Sequence, residues 1–138
     1  MIDSMLFHVQ VVDGPIPESA PRPPAGTGAM LEFRGVVRPQ EDGRKITGLN
    51  YQTYDPMAQK QLERLAEETA KRFALTSIHV VHSRGFVGAG FCSLWIALAA
   101  VRRKACLGAM DWLIDQIKAD VPIWKSAVFA DESQAGQP

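Results

Sequence analysis

Residues 102–125 read RRKACLGAMDWLIDQIKADVPIWK, and this stretch constrains the fold more than any other. Apolar side chains recur at Val101, Ala105, Ala109, Trp112, Leu113 and Ile117, the three-to-four spacing of a helix with one buried face. Three consecutive cations, Arg102, Arg103 and Lys104, open the helix. Pro122 closes it, because its ring clashes with the preceding turn and it has no N–H to donate. A helix is therefore predicted over 102–118, with Lys118 in its last turn, where a cation suits the carbonyl end of the dipole. Ile123 and Trp124 are expected to anchor in the core and hold Lys125 in a defined place. The turn at Pro122 can fold Lys125 back toward Lys118. Two ammonium groups held close disfavour each other's charge, which makes one a usable nucleophile or proton carrier near neutral pH. On spacing alone the plainer reading, a capping lysine and a surface lysine, stays open.

A chain of 138 residues, 46% apolar and 22% charged, has the make-up of one globular domain with a real core. Fifteen cations balance fifteen acids, which leaves no electrostatic footprint for nucleic acid or for an acidic membrane surface. Cys92 and Cys106 stand far apart without a partner motif, so both are expected as buried thiols in a reducing compartment. The N-terminus has no basic leader, and no run reaches the ~18 apolar residues of a membrane span. A cytoplasmic protein is the expectation.

In chain order, 5–12 is apolar and β-branched enough for a strand. Residues 15–28 hold five prolines and two glycines and are expected as a linker or covering loop. A strand follows over 29–38, with Gly35 marking a bulge or a close backbone approach. Arg38 ends it; a guanidinium there either faces water or grips a phosphate with two parallel N–H bonds. Asp42-Gly43 turns the chain, and 46–53 is expected as the returning strand of that hairpin. Asp55 is the expected N-cap of a helix that starts at Pro56 and runs to about Phe73, with Met57, Leu62, Leu65, Ala66, Thr69 and Phe73 facing inward. On a strand over 76–82, His79 and His82 point to opposite faces, which argues against a shared metal. Residues 83–90 form a glycine-rich connection; no Lys-Ser/Thr follows and the next element is a strand, so it is not a nucleotide phosphate loop. The apolar run 91–100 is expected as the most buried strand and 123–129 as the last, with a flexible polar tail over 130–138. The sum is an α+β fold, mostly antiparallel strands against two long helices.

Arg103, Asp115, Lys118, Pro122, Ile123, Trp124 and Lys125 resemble the signature of the molybdopterin synthase large (catalytic) subunit family (MoaE-like), a helix opening on His-Arg, then Asp-x-x-Lys, then Pro-aromatic-Trp-Lys. The similarity extends to Gly28, Ala29, Phe33, Gly35, Val37 and Arg38, to Tyr54 and Met57, and to His82, Gly85 and Gly90, so it spans roughly 28–127. The resemblance implies an α/β hammerhead core with a small antiparallel β subdomain. It implies a sulfurtransferase that converts cyclic pyranopterin monophosphate to molybdopterin, taking both dithiolene sulfurs from the C-terminal thiocarboxylate of a small ubiquitin-like carrier that ends in Gly-Gly. No metal or organic cofactor is required for that step. Lys118 and Lys125 are then the catalytic candidates, and Arg38, Arg102 and Arg103 the substrate-binding ones. Arg103 and Lys118 lie fifteen residues apart, roughly 22 Å along a helix, so one small phosphate ligand cannot touch both in one chain. A shared site therefore needs two copies, which agrees with the family picture of a homodimer inside a heterotetramer. Three departures favour an alternative, a divergent non-catalytic paralogue that binds the carrier. Arg102 stands where the family has histidine, Ala127 stands where it has an acid, and the tail lacks the later arginine.

Overall fold

The structure is a computed structural model and describes residues 6–130. Its elements run β1 (Leu6–Asp13), β2 (Ala29–Val36), β3 (Gln40–Glu41), β4 (Arg44–Thr53), α1 (Met57–Arg72), β5 (Ser77–Gly88), β6 (Cys92–Ala100), α2 (Arg103–Asp120) and β7 (Ile123–Phe129). This is the α+β architecture expected, with a mostly antiparallel sheet and two long helices. The exception is β1, which runs parallel to β5 from Leu6 opposite Ser77 to Asp13 opposite Arg84.

β5 organises the sheet because it belongs to two ladders. Its first half, Ser77 to His82, pairs with β6, which in turn pairs with β2. Its second half, Gly85 to Gly88, pairs with β4, and β4 also carries β7 and the two-residue β3. The first ladder buries Ile78, Val80, Ile96 and Leu98 under both helices, against Leu62, Leu65, Ala66, Ala109 and Leu113. The second closes over its own small core of Val37, Ile46, Leu49 and Val87. On the far face of the first ladder, the proline-rich segment lays Ile16 onto Val81, Cys92 and Trp95, and Ile16 N–H donates to the Cys92 carbonyl at 2.9 Å. The segment 15–28 holds no helix or strand and touches this face through Ile16.

Several expectations change. The strand at 29–36 does not pair with 46–53; its partner is β6, and the Asp42-Gly43 turn joins only β3 to β4. Both turn residues have positive φ, +52° and +76°, the geometry of a two-residue hairpin loop. The bulge suggested by Gly35 is present, with the register slipping between Gly35 and Val36. Residues 83–88 are not a connection but the second half of β5, so the glycine-rich piece reduces to a tight turn at 89–91. Asp55 makes no N-cap hydrogen bond and α1 starts after Pro56. The Asp55 carboxylate instead accepts from Thr53 Oγ1 and pairs with Arg84, which also binds Asp13 at 2.8 Å.

On α2 the buried stripe is Cys106, Ala109, Met110, Leu113 and Ile117. Val101 lies outside the helix and is exposed, while Trp112 sits at the seam with α1, its ring against Phe73 and under the Arg72 guanidinium at 4.9 Å. The helix also continues two residues past Lys118, to Asp120. Both cysteines are buried free thiols. Most of the expected tail, from residue 131, lies outside the described residues.

Candidate functional site

Where the two ladders separate, a cavity of about 500 Å³ opens. It is walled by the end of β2, the middle of β4 and β5, the C-terminal turn of α2 and the start of β7. Pro122 turns the chain directly from α2 into β7, and this short reversal puts Lys118 and Lys125 on the lining of one cavity. Arg38 reaches the same cavity from the chain just past the β2 bulge. All three side chains are exposed, and none makes an ion pair among the described residues. Glu41 is the one acid on the lining, so the cavity has a net positive wall.

Trp124 is not anchored in the core as expected. It is 58% exposed, at the start of a run in which Trp124, Lys125 and Ser126 are all exposed. Ile123 packs toward the main core, whereas Trp124 stands at the cavity rim. Lys125 is still held in place, but by backbone pairing opposite Tyr51 rather than by a buried indole. Two residues on, Ala127 lies opposite Leu49 and packs against the small core, so no carboxylate stands beside Lys125 at that position.

Arg102 and Arg103 are not part of this cavity. With Gly28, Ala29, Val101 and Lys104 they line a separate depression of about 550 Å³ at the N-terminal end of α2. Eighteen helical residues separate the two ends, ~27 Å at 1.5 Å per residue. One chain therefore brings Arg38, Lys118 and Lys125 together and leaves Arg102 and Arg103 on another surface.

The floor of the cavity holds groups that sequence reasoning missed: Tyr51, His82 and Ser93. The Tyr51 hydroxyl donates to Ser93 Oγ at 2.8 Å, and the Tyr51 ring meets the His82 ring edge-on at 5.4 Å. Burial pushes the Tyr51 pKa up, opposed by its hydrogen bond with Ser93. Burial pushes the His82 pKa down, opposed by a hydrogen bond to the Ser83 carbonyl. Nothing in a list of charges marks these residues. All three lie inside strands expected from the sequence, but their meeting depends on how β4, β5 and β6 pair, which alternation along single strands does not give. Among the described residues, no group of three or more His, Cys, Asp or Glu could hold a metal ion. None of the described helices is long and apolar enough to cross a membrane.

Fold and site together define an α+β protein with a cationic cavity at the junction of two antiparallel ladders and an exposed tryptophan on its lining. Comparison with known proteins narrows the class. The family model described as "MoaE protein" matches residues 15–120, and the chain belongs to that family. It is 36% identical over 104 residues to the molybdopterin synthase catalytic subunit of Oryza sativa subsp. indica, covering 75% of this chain and 54% of that protein. It is 34% identical over 110 residues to the molybdopterin synthase catalytic subunit of Pyrococcus abyssi, covering 80% and 74%. The chain thus spans about half the length of the rice relative. The structure of molybdopterin synthase from Staphylococcus aureus superposes with a TM-score of 0.79 at 28% identity, over 89% of this chain and 92% of that one. A complex of subunits 1 and 2 of the molybdopterin-converting factor from Helicobacter pylori shares the fold, with a TM-score of 0.67 at 22% identity over 91% and 90%.

Proposed function

We propose that this chain is, as one domain, the catalytic subunit of a molybdopterin synthase. It transfers sulfur from the C-terminal thiocarboxylate of a small ubiquitin-like carrier, ending in Gly-Gly, to cyclic pyranopterin monophosphate, and so forms the dithiolene. The observation that carries this reading is the convergence of Lys118, Lys125 and Arg38 on one cavity. The reaction adds sulfur to the pterin side chain and returns the carrier as a carboxylate, so negative charge and protons both move. Lys118 and Lys125 supply proton transfer and charge stabilisation there, and Arg38 binds the phosphate. Arg102 and Arg103 complete the phosphate site from the second copy of a homodimer, since the helix keeps them far from Lys118 in their own chain. Two carriers on such a dimer make a heterotetramer. The exposed Trp124 and Val36 at the cavity rim offer an apolar lip along which a carrier tail can lie. The two free thiols suit a cytoplasmic location.

Ala127 and Arg102 favour one other reading, a carrier-binding paralogue without turnover. Reconstitution separates the two. The protein is incubated with thiocarboxylated carrier and cyclic pyranopterin monophosphate, and the product is followed by mass spectrometry. Wild-type protein forms the dithiolene, and Lys118→Ala forms almost none. Carrier binding without product from the wild type would overturn the synthase reading in favour of the paralogue.

A further inference from the structure

The cavity has a second layer that the lysines and arginines do not use. His82 is only 7% exposed, yet it lines the cavity. Its Nδ1 lies 2.8 Å from the Ser83 carbonyl oxygen. A carbonyl can only accept, so Nδ1 carries the proton and donates, and Nε2 of the neutral ring is left as an acceptor. Among the described residues Nε2 has no hydrogen-bond partner and, unlike Nε2 of His79, it is not sealed away from solvent. The neighbouring hydroxyls are spent in the same sense. Tyr51 donates to Ser93 Oγ, and Ser93 Oγ donates to the Gly35 carbonyl at 3.4 Å. What remains toward the cavity is a floor of lone pairs beneath a rim of cations.

A ligand that fits both layers has an anionic end and a ring edge rich in N–H donors. A pterin bearing a phosphate is such a molecule. We propose that His82 Nε2 accepts a hydrogen bond from an N–H on the substrate's heterocycle and, with Tyr51 and Ser93 beside it, sets the orientation of the ring while the rim cations hold the phosphate. This inference rests on the pterin reading given above and assigns a binding residue within it.

Burial favours the neutral His82 ring, and the charged groups that share its cavity are mostly cations. Lys118 faces the cavity from α2, Lys125 from β7 and Arg38 from the β2–β3 connection, against Glu41 from β3. Tyr51 packs on His82 from β4, while β1 and β6 place Val11 and Leu94 opposite it across the strands. Protonation would turn Nε2 from acceptor to donor, so ligand affinity is expected to fall as the pH drops through the imidazole titration.

The test titrates cyclic pyranopterin monophosphate calorimetrically into the full chain as wild type, His82→Asn and His82→Gln, with thermal unfolding as the check on folding. The Asn amide can replace Nδ1–H toward Ser83 but places nothing at the ε position, whereas the Gln amide reaches it with an acceptor oxygen. His82→Asn is expected to bind about ten- to a hundredfold more weakly, the loss that follows when a buried N–H is left unpaired. His82→Gln is expected to recover most of that loss. In wild-type protein the ¹⁵N resonance of His82 Nε2 is expected to move when ligand binds, a response that a purely structural histidine would not give. Wild-type binding with an unchanged His82→Asn affinity, or an unmoved Nε2 resonance, would overturn the inference and leave the proposed function standing. Wild-type protein that does not bind the ligand would overturn both. If His82→Asn does not fold, the wild-type resonance alone decides.

Discussion

Gly48 sits where β4 is squeezed between β5 and β7, opposite Gly88 on one side and Val128 on the other. A Cβ built on Gly48 would stand 2.6 Å from the Phe86 ring and closer still to the Val87 carbonyl oxygen. The ring can swing away, but the carbonyl is part of the β5 backbone and can yield only if β4 and β5 part. Overpacking of this kind costs roughly 1–3 kcal/mol. Against it, Gly→Ala narrows the unfolded ensemble and stabilises by about 0.4–1 kcal/mol where the backbone tolerates it. The clash is the larger effect, so Gly48→Ala is expected to lose about 1–2 kcal/mol net. For a domain of this size that lowers Tm by about 3–5 °C per kcal/mol. Gly88 is the in-register control, because its Cβ would make only ordinary contacts, 3.5 Å to the Phe91 ring and 3.8 Å to the Phe86 ring and the Thr47 carbonyl oxygen. Gly88→Ala is expected to unfold within about 0.5 kcal/mol of wild type. Urea denaturation of the three proteins, read at constant m, measures the differences directly. A Gly48→Ala protein as stable as wild type would refute the argument that β4 and β5 are in backbone contact there, and with it the placement of Tyr51 three residues further along the same ladder.

Lys118→Ala should leave the urea midpoint almost unchanged, since the side chain is exposed, while turnover in the reconstituted reaction falls about 10²–10⁴-fold if the ammonium moves a proton. Leu113→Ala empties a fully buried site under the sheet and should cost about 2.7–5 kcal/mol in the same denaturation assay. Asp55 is held below its ordinary pKa by the Thr53 hydroxyl first and Arg84 second, so its contribution is present above about 3.8 and is lost as pH falls through the folded value; Asp55→Asn should flatten that acid limb of a stability–pH curve. His79 and His82 are both lowered from 6.5 by burial, so the unfolded chain binds their protons first; stability should decline as pH falls below about 6.5, and the double variant His79→Gln/His82→Gln should decline less.

The helices were legible because each has a long apolar stripe and a clear stop. Two facings were misjudged: Met57, expected to face inward, is exposed at the start of α1, and the rotation of α2 differs because α1 packs beside it and takes up Trp112 at the seam, which no single-helix periodicity contains. Strand existence was legible too, but strand pairing was not. A neighbouring hairpin suggested β2 with β4, whereas β2 instead finds β6 some sixty residues on and leaves β4 to the second ladder. The rim of the candidate site could be read from the charges of Lys118, Lys125 and Arg38 together with the turn at Pro122. Its floor could not, because Tyr51, His82 and Ser93 come from three strands and meet only once β5 is seen to run through both ladders. The separation of Arg102 and Arg103 from that cavity follows from helix length alone, and the structure places them in a different depression.

The proposed site is shared between two copies, with the lysines of one chain and the helix-start arginines of the other. Mixed dimers test it most directly. Arg103→Ala and Lys118→Ala are each expected to be nearly inactive in reconstitution. After the two are unfolded and refolded together, a heterodimer carries both lesions in one site and neither in the other. With random pairing, half the dimers are heterodimers with one intact site of two, so activity should return to about a quarter of wild type. Mixtures that stay as inactive as the separate variants, in dimers shown to have exchanged, would contradict the shared site.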